Sequence, residues 1–372
     1  MSPVPKPADP IDAILALDLG GRGIASFFSP GAAVAAARAL AGAERVIIVT
    51  GFNVPPGLPE TDGPPGAAVL GRALRLLGAS VRYVTDRAPA DPLAATLQAL
   101  GEPAEVDVYP ELPGAARLLL ERERPTHLIS IERPGRCRTG DYLSARGESV
   151  AKWNLPLDEL FVVAHALRKK PIKKKSDLKN GARSRRRQAT HGGGGLAAPA
   201  TTIPVTLAIG DGGNEIGMGS VRARLARSGR LMARIACVVP VDHLVVAGTS
   251  NWGAYGIVAA MERLHSRLLL HTGAIERQLI ARCVEAGAVD GMTRKREPTV
   301  DGEHLSRHVA VGLEEKSHRS DDVFRASEPP ERNRPEQLIP LCLGQRARHV
   351  GVDEAGRHAV HGDRPAADLP GE

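Results

Sequence analysis

The chain has 372 residues, 3% aromatic content and four cysteines. That length can bury a core large enough for an enzyme, while so few aromatic side chains argue against a base-stacking nucleic-acid surface. The cysteines, Cys137, Cys237, Cys283 and Cys342, form no C-x-x-C pair, so neither a zinc site nor a disulfide framework is indicated.

In chain order, Ala32 to Ala41 is Ala-rich with helical spacing, and Arg45 to Thr50 (RVIIVT) is a short apolar run of the kind expected for a buried parallel strand. Further strands are expected at Val81 to Thr85, His127 to Ile131, Val205 to Ile209 and Arg234 to Val239. Helical stretches fall between and after them, at Gly66 to Leu77, Pro92 to Leu100, Gly114 to Glu123, Leu157 to Leu167 and Gly253 to Leu270. This alternation predicts an α/β fold with three layers, a mostly parallel sheet carrying helices on both faces.

The formal charge of +7 is local in origin. Arg168 to Arg187 holds eleven Lys and Arg against Asp177, so the remainder of the chain is slightly acidic. With His191 and Gly192 to Gly195 beyond it, the stretch from about 168 to 204 reads as a flexible basic insertion in a domain spanning 11–315. Residues 316–372 read as a poorly ordered tail. No apolar stretch approaches a membrane span and the first ten residues lack a signal core, so the expectation is a soluble cytoplasmic protein without membrane contacts.

Ligands of parallel α/β sheets bind outside the carboxyl ends of the strands, so the segments that follow each strand carry the functional reading. Gly51-Phe52-Asn53 and Glu60 to Gly66 follow the first run, Glu132 to Arg136 the third, and Gly210 to Gly219 (GDGGNEIGMG) the fourth, with Ser250-Asn251-Trp252-Gly253 opening the last helix. All are expected to converge on one edge of the sheet. The glycine run sits between a strand and the helix-like Val221 to Leu225, a setting that suits anionic ligands. Its spacing is neither G-x-G-x-x-G nor a phosphate loop, so nucleotide binding is not implied.

Taken together, Thr50 to Phe52, Glu60 to Gly66 (ETDGPPG), Ile131 to Arg136 (IERPGR), GDGGNEIGMG, Ser250 to Gly253 and Arg296 to Gly302 (REPTVDG) resemble the D-glutamate cyclase family, in its C-terminal cyclase-like domain. The likeness covers roughly Ile11 to Val311. It implies a hydro-lyase that converts D-glutamate to 5-oxo-D-proline with loss of water, acting on a small amino acid and requiring no cofactor.

That reaction calls for acid and base carboxylates, a cationic clamp and N–H donors. Asp211 and Glu215 are candidates for the acid/base pair, with helix capping by Asp211, Asn214 and Glu215 as the alternative. Glu60 is a further catalytic candidate, and Asp62 either contacts substrate or caps a helix. Arg133 and Arg136 are candidates to grip the α-carboxylate, unless they lie on the surface or one pairs with Glu132, which is itself a candidate to contact substrate. Gly212 and Gly213 would supply backbone donors, and Asn214 and Asn251 would contact substrate or cap. Glu60, Asp62, Asp211 and Glu215 are alternatively a set of oxygen ligands for Mg²⁺. His127, His165 and His243 have no metal-ligand spacing, and Cys137 has no histidine partner to activate it. Two other classes stand beside the cyclase: a non-catalytic metabolite- or nucleotide-binding module, and a protein that binds nucleic acid nonspecifically through the basic segment.

Overall fold

The computed structural model describes residues 9–18, 20–169 and 203–296. Nearly all of the basic segment, the Glu297 to Gly302 part of the sixth motif, and the tail lie outside the described residues.

The apolar runs pair as the sequence suggests for four strands. After α1 (Pro10–Leu15) and α2 (Ala32–Leu40), β1 (Arg45–Thr50) enters the core with five of its six residues buried. A two-residue hairpin, β2 (Asn53–Val54) and β3 (Leu58–Pro59), then leads to α3 (Pro64–Leu76). Next come β4 (Ser80–Thr85), α4 (Arg87–Ala99), β5 (Val106–Val108), α5 (Ala115–Glu123), β6 (His127–Ile131) and α6 (Glu159–Lys169). The chain continues through β7 (Val205–Gly210), α7 (Arg222–Arg227), α8 (Arg230–Ile235), β8 (His243–Val246), α9 (Ser250–His265) and α10 (Gly273–Glu285).

The six strands of the main sheet lie in the order β5-β4-β1-β6-β7-β8, all parallel, with helices around them in three layers. Every residue of β6 is buried, as a central strand covered on both faces requires. The chain runs outward from β1 in one direction, then returns to build the other half from β6. The crevice between β1 and β6 is therefore the topological switch point, where open parallel sheets bind ligands. Register brings the strand ends level, with Thr50 opposite Ile131 and Ile131 opposite Ile209. Gly51, Glu132 and Gly210 consequently emerge side by side at the carboxyl edge.

The expected strand over Arg234 to Val239 is not one. Its first two residues end α8, and the rest is an extended connection whose backbone serves the loops. Cys237 N donates to Gly213 O, Val238 N to Arg136 O, and Val239 O accepts from Gly217 N and Gly219 N. The run is apolar because it is buried under the glycine turn, and the edge strand is instead the shorter β8.

Candidate active site

The glycine turn is held by its own carboxylate. Glu215 lies three residues beyond Gly212 and accepts from Gly212 N (2.6 Å) and Gly213 N (2.8 Å), with Asp211 N at 3.4 Å. Those N–H groups are therefore spent inside the turn, which corrects the reading of Gly212 and Gly213 as substrate donors. It also makes Glu215 the post that shapes the turn, leaving Asp211 as the residue the turn presents. Gly213 needs its glycine, with φ 92° and leucine and methionine methyls about where a Cβ would stand. The helix beyond the turn is the six-residue α7, reached through a 3₁₀ turn at Gly219–Val221, so no helix start faces the glycines. Asn214 donates to Leu143 O (2.7 Å) and pins the neighbouring loop.

A second device aligns the loop after β3. Asp62 accepts from Ser250 N (3.0 Å) and Asn251 N (2.8 Å) in the first turn of α9. In return, the Asn251 amide oxygen accepts from Gly63 N (3.0 Å) and Gly66 N (2.8 Å) in the first turn of α3, while its nitrogen donates to Thr61 O. Each loop satisfies the free N–H groups of the other's helix, so the two helix starts are cross-capped. Thr249 adds an ordinary N-cap to α9. Gly66 lets the helices approach this closely, since a Cβ there would meet Asn251 at 2.9 Å and Ala254 at 3.1 Å.

Around these supports four carboxylates meet. Asp62, Glu132 and Asp211 bring oxygens within 4.8 Å of one another, and Glu60 is near enough for its charge to act with theirs. Like charges buried this close together favour the protonated form of some members of the group. Burial, followed by repulsion from neighbouring carboxylates, holds Glu60 and Glu132 well above the usual carboxylate range. Burial likewise raises Asp62 and lifts Asp211 well above its ordinary value, while the Arg22 cation opposes both shifts. Glu132 sits at φ 42° immediately after β6, a left-handed conformation that a non-glycine residue adopts at a cost, and Ser250 Oγ donates to its Oε2. Glu60 is placed by the bridge between its strand and Val289, with Gly291 against its carboxylate.

The cation here is Arg22, which spacing did not single out. Asp18 ties its loop by accepting from Arg22 N, Gly23 N and Ile24 N, and the Arg22 guanidinium bonds Asp211 Oδ1 across the molecule. Asp211 Oδ2 is buried without a partner.

Arg133 and Arg136 are not gathered into this group. The Arg133 guanidinium is buried and forks onto Asp86, with further bonds to Gly51 O and Leu155 O. Arg136 is bidentate to Asp158 (2.6 and 3.0 Å), which also accepts from Tyr142. Both forks are filled by this chain's own acids, which is the physical reason they cannot serve as the open clamp. For the Mg²⁺ reading, the fitting set is Asp62, Glu132 and Asp211, not one that includes Glu215. Cys137 and Cys237 are buried, burial pushing the Cys237 thiol up to about 12.

The model of the family described as D-glutamate cyclase-like, C-terminal, matches residues 11–173 and 195–312. Human "D-glutamate cyclase, mitochondrial" is 30% identical to this chain over 69% of its length. The match spans 39% of the human protein. Every residue of the four-carboxylate group and Arg22 fall inside the matched region. The chain belongs to the D-glutamate cyclase-like, C-terminal family.

Proposed function

We propose that this chain is a hydro-lyase that cyclises D-glutamate to 5-oxo-D-proline and water. The observation that carries the reading is the buried cluster of Glu60, Asp62, Glu132 and Asp211 beside Arg22, at the switch point of the sheet. The α-nitrogen forms a bond to the γ-carboxyl carbon and one carboxyl oxygen leaves as water. That nitrogen begins as an ammonium and ends as an amide N–H. Two protons therefore leave it, and two protons are needed to turn the departing oxide into water. A site must accept and donate protons in close succession without net exchange with solvent. Clustered carboxyl groups with raised proton affinity can do this.

Asp211 is the proton-transfer residue in this reading, because burial raises its proton affinity well above the ordinary value against the pull of Arg22, and among the described residues its Oδ2 has no hydrogen-bond partner. Glu60 and Glu132 supply the acid that neutralises the γ-carboxylate, which is otherwise a poor electrophile. Ser250 orients Glu132, and Glu215 and Asn251 hold the loops. If a divalent cation takes part, Asp62, Glu132 and Asp211 would hold it, and it would supply charge neutralisation and carbonyl polarisation. The buried thiols of Cys137 and Cys237 suit a reducing compartment, and this reading takes the cytoplasm as that compartment. No described helix is long and apolar enough to cross a membrane.

The test is incubation of purified protein with D- and L-glutamate, with and without chelator, following the lactam by mass. Lactam from the D-isomer supports the reading, and loss on chelation adds the cation. Binding of D-glutamate without lactam would replace it with the metabolite-binding module.

A further inference from the structure

We infer that Arg22 is the specificity-determining residue that receives the α-carboxylate of the substrate while its other arm fixes Asp211. This deepens the cyclase reading and rests on it. One guanidinium nitrogen, Nη1, is bonded to Asp211 Oδ1. Among the described residues the hydrogen bond of this guanidinium is the one through Nη1, which leaves the Nε and Nη2 edge without a partner, and the side chain is 23% exposed. That edge is the side of the fork that matches a carboxylate with two parallel N–H bonds. The arginines that the sequence offered for this task are filled, Arg133 by Asp86 and Arg136 by Asp158.

The charge balance of the site points the same way. Asp62, Glu132, Asp211 and Glu215 all act electrostatically on Arg22, which is the cation at the centre of this acidic cluster and the group there that attracts an anion. An amino-acid carboxylate docked there would leave the α-ammonium beside Asp211 and the other carboxyl groups, the placement proton transfer needs. The short loop that carries Arg22 is fixed from one side by Asp18, and Gly21 and Gly23 supply its left-handed turns at φ 62° and 74°. The guanidinium is thus delivered by a turn with a defined geometry and not by a long free side chain on an open surface.

The test compares D-glutamate with 4-aminobutyrate, the same molecule without the α-carboxylate, whose cyclisation gives the unsubstituted lactam and water. Wild type should prefer D-glutamate on kcat/KM, and Arg22→Ala should lower that preference on the order of 100-fold, mainly through the KM for D-glutamate. Arg22→Lys should recover part of it, since charge returns without the fork. An intact preference in Arg22→Ala overturns the inference. A thermal melt of each variant reports folding. Calorimetric titration of both ligands into wild type and Arg22→Ala gives a readout independent of turnover. Selective D-glutamate binding lost in the variant, with no lactam from wild type, would sink the cyclase reading and keep Arg22 as the clamp. Equal binding of D-glutamate by both proteins would sink the clamp.

Discussion

Two buried charged groups stand at the same edge of the sheet and differ in how their charges are met. Around Arg133, the guanidinium forks onto Asp86, Asp86 also accepts from Asn53 and from Leu155 N, and Asn154 exchanges hydrogen bonds with Asn53. Around Asp211, the carboxylates of Glu60, Asp62, Glu132 and Glu215 also crowd the one guanidinium of Arg22. The first arrangement answers each charge with an opposite one and fixes the loops after β1, β4 and β6. The second gathers more carboxylates than its cation balances, which is costly for folding and is what the proposed reaction draws on. An excess of one sign of charge, and not buried charge alone, separates the two groups.

Breaking the balanced group should cost the most stability. Arg133→Ala leaves Asp86 buried and unpaired, and a loss of about 3 to 5 kcal/mol in chemical denaturation is expected. A melt unchanged by this substitution would remove the contrast between the two groups. Asp211→Asn should lower kcat about 10³-fold, roughly 4 kcal/mol, yet leave the melting temperature within a few degrees, because it removes a charge the fold holds at a cost. Equal losses of activity and stability in that variant would make Asp211 a scaffold residue like Asp86.

Glu215→Gln tests the border between the two groups. The amide keeps one acceptor oxygen for the turn in place of two, so a stability loss of about 1 to 3 kcal/mol should accompany any loss of activity. The smallest effect is in the pH dependence. Glu60 is raised well above its ordinary 4.5, so the folded state holds its proton more tightly than the unfolded chain. Both states are protonated below about 4.5, and the contribution vanishes there. As pH rises above that value the unfolded chain releases its proton first, so stability falls until the folded group also ionises. Glu60→Gln should flatten that decline in urea denaturation measured between pH 5 and 8, and a slope identical to wild type would count against a raised proton affinity at Glu60.

The parallel strands around the switch point were legible because burial on both faces leaves continuous apolar runs such as RVIIVT and HLISI. At the sheet edges the signal fails. β5 is three residues and only partly covered, while β8 was hidden by the more apolar RIACVV, whose burial serves the glycine turn instead. Carboxylates could be named because register places them directly after strands, as with Glu132 and Asp211. Their partners could not. Arg22 lies 189 residues from Asp211, and no local pattern distinguishes it from Arg133 or Arg136. Which arginine is occupied is a fact of packing that spacing along the chain does not carry.

The reciprocal capping of α3 and α9 places one residue in two offices. Asp62 belongs to the reactive group and also closes the first turn of α9, so its removal would loosen the junction that Asn251 locks from the other side. Asp211 has no such second duty, being displayed by a turn that Glu215 sustains. Under the proposed cyclase reading, a descendant of this fold that abandoned the reaction would be free to discard Asp211 early and obliged to keep Asp62, so an aspartate surviving at 62 would be a poor indicator of activity and one surviving at 211 a good one.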